Sequence, residues 1–121
     1  MTMDDMEIKQ YVNTEKALER IRGNVKLFKM LLTNFLATTK SQFEQLQKEI
    51  GDNDREAASK SVHALKGVAA NLSMTALYDL CPPFEALLKT DADASESLAS
   101  FSAAYEKTVA CVNAVLPTLS A

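Results

Sequence analysis

Histidine occurs once in these 121 residues, cysteine twice, glycine and proline three times each, and tryptophan not at all. One imidazole and two thiols far apart in sequence, Cys81 and Cys111, with no C-x-x-C spacing, make no metal-ligand set, so no metal site is expected. In a reducing compartment the thiols should be unpaired and half-buried. Three scattered glycines make no phosphate-binding loop, and a single histidine without evident triad partners argues against an autonomous enzyme. Nor is there an excess of positive charge: 13 Lys and Arg against 16 Asp and Glu give a net charge of -3, and the basic residues are scattered, which disfavours nucleic acid as a partner. The amino terminus is acidic where a leader would be basic and then apolar, and Lys29 and Asn34 interrupt the most hydrophobic stretch before it reaches membrane-spanning length. A cytoplasmic protein without membrane contact is expected.

What is present is helical periodicity. Apolar residues recur at three- and four-residue spacings with few alternating runs, in a chain long enough for one domain over 1–121. Asn13-Thr14 caps a short helix over Glu15 to Arg22 that stops at Gly23. Asn24 caps a long second helix to about Ile50, with Val25, Phe28, Leu32, Leu36, Phe43, Leu46 and Ile50 as its stripe and Gly51 as its end. Asn53 and Glu56 form a capping box for a third helix, Asp54 to about Leu72, and Ser73 is a candidate cap for the fourth. In that fourth helix Pro82 and Pro83 each remove a backbone donor and crowd the carbonyls of Tyr78 and Asp79. Leu77, Leu80, Phe84, Leu87 and Leu88 nevertheless keep phase across the pair, which favours a kink over a break. Asp93 and Glu96 open a last helix striped by Leu98, Phe101, Tyr105, Val109, Val112 and Leu116 and limited by Pro117. Met3, Met6 and Tyr11 fit either a further helical turn or a loose tail. The simplest packing is all-α: an antiparallel up-down four-helix bundle with a short additional N-terminal helix.

The one histidine lies in the third helix. At about 100° per residue, Ala58, Val62, Leu65, Ala69 and Leu72 share the core side, and His63 falls roughly 140° from the centre of that stripe, facing outward. Ser59, Lys60, Lys66, Gly67 and Ala70 surround it on the outer face. Two flanking ammonium groups bias an imidazole toward its neutral form, a nucleophile near neutral pH, and would neutralise a phosphoryl group attached to it. Gly67 costs about 1 kcal/mol of helix stability relative to Ala, a cost that makes sense where another protein must close over the ring. Taken singly, a surface histidine, a glycine and two lysines are an ordinary solvated face. Their combination is what suggests a site.

His63-Ala64-Leu65-Lys66-Gly67, followed by Ala69-Ala70-Asn71-Leu72, Leu77, Leu80-Cys81 and Glu85, resembles the signature of histidine-containing phosphotransfer (HPt) domains of bacterial phosphorelays. Leu18 to Gly23 and Phe35-Leu36 are similar to the family's opening segments, so the resemblance extends over nearly the whole chain. It implies a bundle whose exposed His63 accepts a phosphoryl group from a receiver-domain aspartate and passes it to another receiver. Lys66 would neighbour the phosphate and Gly67 would leave room for the partner, to which the helical-face reading adds Lys60 beside the phosphate and Ser59 and Ala70 on the docking surface. The resemblance also implies a phosphoryl carrier rather than an enzyme, without a cofactor of its own, magnesium being supplied by the receiver. The partners would be response-regulator receivers, including one carried by a hybrid sensor kinase, and the carrier a monomer. Two departures concern local geometry: Ser73 stands where the family usually has glycine, requiring either a turn with negative φ or a direct cap, and the proline pair is unusual in the fourth helix. The competing reading is a helical adaptor that docks signalling partners through the same face and is never phosphorylated.

Overall fold

The computed structural model describes residues 4–119. Six α-helices and no strand occur among the described residues: α1 Asp5–Tyr11, α2 Thr14–Arg20, α3 Val25–Gly51, α4 Arg55–Asn71, α5 Thr75–Leu88 and α6 Ser95–Val115, followed by one 3-10 turn, Leu116–Thr118. Met6 and Tyr11 belong to α1, so the segment left open between helix and tail is helical. Met3 lies outside the described residues. Among those residues no helix is long and apolar enough to cross a membrane.

The helix starts follow from local polar chemistry. Asp4, Asn13, Asn24 and Asp54 each accept the amide of the residue three positions on, which satisfies a donor the helix itself cannot. The α4 cap is Asp54 rather than Asn53. Asn53 instead adopts φ 57° and helps to end α3, with the Asp54 amide reaching back to the Glu49 carbonyl. The same left-handed stop closes α2, through Arg22 at φ 56° with Gly23 N–H on Leu18 O. It also closes α4, through Ser73 at φ 55° with Met74 N–H on Ala69 O. Neither expected role for Ser73 holds: its φ is positive and it caps nothing. The α5 start has Met74 at the cap position with no side-chain bond. At α6, Ala94 takes the cap position, and Asp93 accepts both the amide and the hydroxyl of Ser95. Those two bonds hold the Asp93 carboxyl below its ordinary range.

Helix α5 runs unbroken through Pro82 and Pro83, both of them exposed. Helix α3 packs on α4, α4 on α5, α5 on α6, and α6 back on α3, with α1 laid against α5 and α6 and α2 against α3. The core between them is apolar: Phe28, Leu32 and Leu46 of α3, Val62 and Leu65 of α4, Phe84 of α5 and Phe101 of α6 are fully buried. The α3 stripe turns further than the sequence suggested, burying Phe35 and Thr39 and leaving Val25, Leu36 and Ile50 half-buried. Phe43 stacks on Tyr105 at 4.8 Å and on Phe101 at 6.0 Å between centroids. Within this core the Thr39 hydroxyl donates to the Phe35 carbonyl at 2.6 Å and meets the Tyr105 hydroxyl at 3.0 Å. Cys81 and Cys111 are wholly buried rather than half-buried. Burial, aided by the Glu85 carboxylate, pushes the Cys81 thiol up to about 12, so it is inert as a nucleophile.

Two arginines fix α4 at its ends. The Arg55 guanidinium, at its start, donates to the carbonyls of Leu88 and Leu87 at the end of α5 and to Ala92 in the loop beyond. Arg20 of α2 donates to the Ala70 carbonyl near the other end at 2.7 Å. These are charge-assisted bonds to carbonyls near helix ends, so Arg55 positions α4 against α5 and Arg20 ties α2 to the end of α4.

A candidate histidine site on the outer face of α4

His63 stands at the middle of α4, with Val62 and Leu65 beside it in sequence packed into the core. Its own side chain is 75% exposed. One turn onward Gly67 is exposed, and a Cβ built there meets no atom within 4 Å. The surface beyond the ring is therefore low and open, as the helical arithmetic predicts.

The charged group bonded to the ring is a carboxylate. Glu85 of α5, whose side chain is only 17% exposed, brings Oε1 to 2.9 Å from His63 Nδ1. A carboxylate only accepts, so Nδ1 carries the proton and donates it, and in the neutral ring the lone pair lies on Nε2. This corrects the expectation of an imidazole governed by two flanking ammonium groups. Lys60 pairs instead with Glu56 at 3.7 Å, and the Lys66 ammonium lies 5.8 Å from the centre of the Tyr78 ring. Ser59 and Ala70 are half-buried, and the Ala70 carbonyl is taken by Arg20. The structure thus keeps His63 and Gly67 on one open surface, places the two lysines one turn either side of the ring, and adds Glu85.

Glu85 was quoted in the resemblance without a role. A signal for it was nevertheless available: α4 and α5 are joined only by residues 72–74. Counting back from that turn to His63 and forward by a similar number reaches the second half of α5, where Glu85 is the one acidic residue. Among the described residues no group of three or more His, Cys, Asp or Glu side chains is placed to hold a metal ion.

A protein-family model described as the Hpt domain matches residues 30–116, from within α3 to the first residue after α6. The match leaves α1 and α2 outside it, and with them Leu18 to Gly23, which the sequence likened to the family's opening segment. No curated protein and no solved structure matches the chain.

Proposed function

The chain belongs to the Hpt domain family, the histidine phosphotransfer domains of phosphorelays whose partners are response-regulator receivers, and from that premise we propose that His63 is its phosphoryl acceptor. One observation carries the assignment: the chain's single histidine is exposed and has Nδ1 held by Glu85, which leaves Nε2 as the nucleophilic nitrogen. In the forward step the Nε2 lone pair attacks the phosphorus of a receiver's aspartyl phosphate. The N–P bond forms, the acyl P–O bond breaks, and the receiver recovers its carboxylate. The ring gains positive charge as the bond forms, and the Nδ1–H···Oε1 bond shortens its electrostatic cost by placing Glu85 against that charge. Delivery to a second receiver is the reverse reaction at another aspartate.

Lys66 is one turn from the ring on a flexible stem, so it reaches the new phosphoryl oxygens by leaving the Tyr78 ring, a contact of modest strength. Lys60 has the weaker claim, since it is paired with Glu56 at an exposed site. Gly67, with Ser59 and Ala70 at the margins, is the landing surface. The receiver brings the magnesium and the acidic pocket that holds it, and this chain supplies the nucleophile and its orientation. We read the closed set of contacts among α3, α4, α5 and α6 as an up-down four-helix bundle, acting as a monomer beside cytoplasmic receivers, one of them on a hybrid sensor kinase.

The test is transfer of labelled phosphoryl from purified phosphorylated receivers to the wild-type chain and to His63→Gln. The reading requires an acid-labile, base-stable label on wild type that is lost from the variant. Complex formation without any label on this chain would make it a docking adaptor instead, and label retained by His63→Gln would place the acceptor elsewhere.

A further inference from the structure

One turn of α4 past the imidazole, the Lys66 side chain runs against the direction its helix favours. Side chains of an α-helix lean toward the helix N-terminus, which from residue 66 is toward His63. The Lys66 ammonium instead stands over the Tyr78 ring of α5, 5.8 Å from its centre. That ring lies the other way. His63 touches Glu85, and only residues 72–74 join the two helices, so Tyr78, seven residues before Glu85, stands level with the turn of α4 around Ala70. This is about 10 Å from the imidazole along the axis at 1.5 Å per residue. Ala70 and Tyr78 line one open hollow together, as that level requires. Nothing else claims the ammonium: among the described residues Lys66 makes no ion pair, although the Glu85 carboxylate lies beside His63 one turn back along α4. The hold is also a light one. Lys16 and Arg20 line the same hollow and oppose a third cation there, Asp79 favours it, and a cation over a half-exposed aromatic face within about 6 Å is preferred there by no more than a few-fold.

We infer that Tyr78 is a positioning residue of the phosphoryl site, parking Lys66 on its ring while His63 is bare and releasing it when a phosphoryl group arrives. The inference rests on the reading of His63 as the acceptor. A dianion on Nε2 attracts the ammonium more strongly than a ring face does, so Lys66 moves to it. The population parked on Tyr78 has first to be released, and the phosphohistidine is stabilised by that much less. A carrier that drew on the whole attraction of Lys66 would hold its phosphoryl group against the second receiver. With Lys66 partly engaged elsewhere, acceptance and delivery stay closer to balance. Tyr78 thereby sets how the phosphoryl group divides between this chain and its receivers without touching it.

Two measurements on the full chain test this. In the first, the ε-methylene protons of Lys66 are followed by NMR before and after His63 is loaded with phosphoramidate, whose own P–N bond breaks with loss of ammonia. The Tyr78 ring current should shift them upfield in the bare chain, and loading should return them toward their positions in Tyr78→Leu. In the second, the chain and a phosphorylated receiver are brought to equilibrium with magnesium present, and labelled phosphoryl is counted on each. Tyr78→Leu should raise the ratio of label on the chain to label on the receiver about threefold. Tyr78→Phe, which keeps the ring face, should match wild type, and Tyr78→Leu should change nothing in a Lys66→Ala background. Lys66 protons without an upfield shift, an equal division of label in wild type and Tyr78→Leu, or a rise that persists without Lys66 would each overturn the inference. A wild-type chain that takes label from neither donor would overturn it differently, by removing the acceptor on which it rests.

Discussion

The two faces of α4 are built on opposite rules. Toward the core, Ala58, Val62, Leu65 and Ala69 are buried to within 1% and touch neighbours on every side. Toward solvent, Gly67 has open space around it and the exposed His63 makes one contact, with Glu85, so core packing demands neither residue. The inner face is explained by packing; on the outer face Gly67 is explained by no contact within the chain. A residue type that the fold neither needs nor benefits from, such as a helix-weakening glycine in open space, points to a requirement imposed from outside the molecule.

Substitutions on the two faces should therefore separate stability from transfer. The largest effect is expected from His63→Gln, which should abolish phosphoryl acceptance while leaving the melting temperature nearly unchanged, because an exposed side chain contributes little packing. Circular dichroism beside the transfer assay checks both halves. Leu65→Ala, two residues away and 1% exposed, should do the reverse: a loss of about 2–5 kcal/mol in denaturant unfolding, with label per folded molecule unchanged. If both variants lose transfer and stability together, the two faces are not separable.

Gly67→Leu should fold at least as well as wild type, since its Cβ meets nothing and leucine favours helix by about 0.8 kcal/mol or so over glycine. It should nonetheless slow transfer from a receiver by roughly tenfold or more, as a side chain there holds the aspartyl phosphate away from the ring. Wild-type rates in a well-folded Gly67→Leu would remove docking as the reason for the glycine. Glu85→Ala should slow transfer about tenfold, the equivalent of one hydrogen bond to a charged group at the weaker, partly solvated end of its range. Glu85→Gln should recover part of that rate, because its amide oxygen still accepts from Nδ1–H; equal rates in both variants would mean that charge, not orientation, is what Glu85 contributes.

The smallest effect belongs to Cys81, on the other side of α5 from solvent. Its folded thiol is raised from 9.0 to about 12, chiefly by burial. Below about pH 9 the folded and unfolded chains both hold this proton and the thiol contributes no pH dependence. As pH climbs from there toward 12 only the unfolded chain releases it, so stability falls. Comparison with Cys81→Ala isolates that slope, which the alanine chain should lack, and at pH 8 iodoacetamide should not label Cys81 in the folded protein.

Much of this comparison was legible in the sequence, and the reason is periodicity. The core face of α4, the outward His63 and the open surface at Gly67 all follow from one number, the helical repeat, applied to residues that leave no competing pattern. The ring's partner was not legible that way, because Glu85 reaches His63 across a helix pair and periodicity within one helix carries no information about which side chains meet between two. Helix ends were harder for a different reason. Asn53 and Asp54 are both good caps, and the choice fell to Asp54 because asparagine also tolerates the left-handed conformation that ends α3. Ser73 has no such excuse in its chemistry; the short passage from α4 into α5 imposes φ 55° on whatever residue stands there.

The hydroxyl pair of Thr39 and Tyr105 sets which alignment of α3 and α6 is tolerable. Aromatic and aliphatic contacts are forgiving of sliding: Phe43 would find some ring to pack against if α6 moved by one turn. The hydroxyl contact is not, since a shift of that size, about 5.4 Å, takes the Tyr105 hydroxyl away from Thr39, whose own bond to the Phe35 carbonyl stays within α3. Their 3.0 Å contact acts as a registration mark between helices distant in the chain, penalising misaligned packings more than it strengthens the correct one. Thr39→Val with Tyr105→Phe should then cost little stability while broadening the amide spectrum, as neighbouring alignments become accessible to a core that no longer discriminates among them.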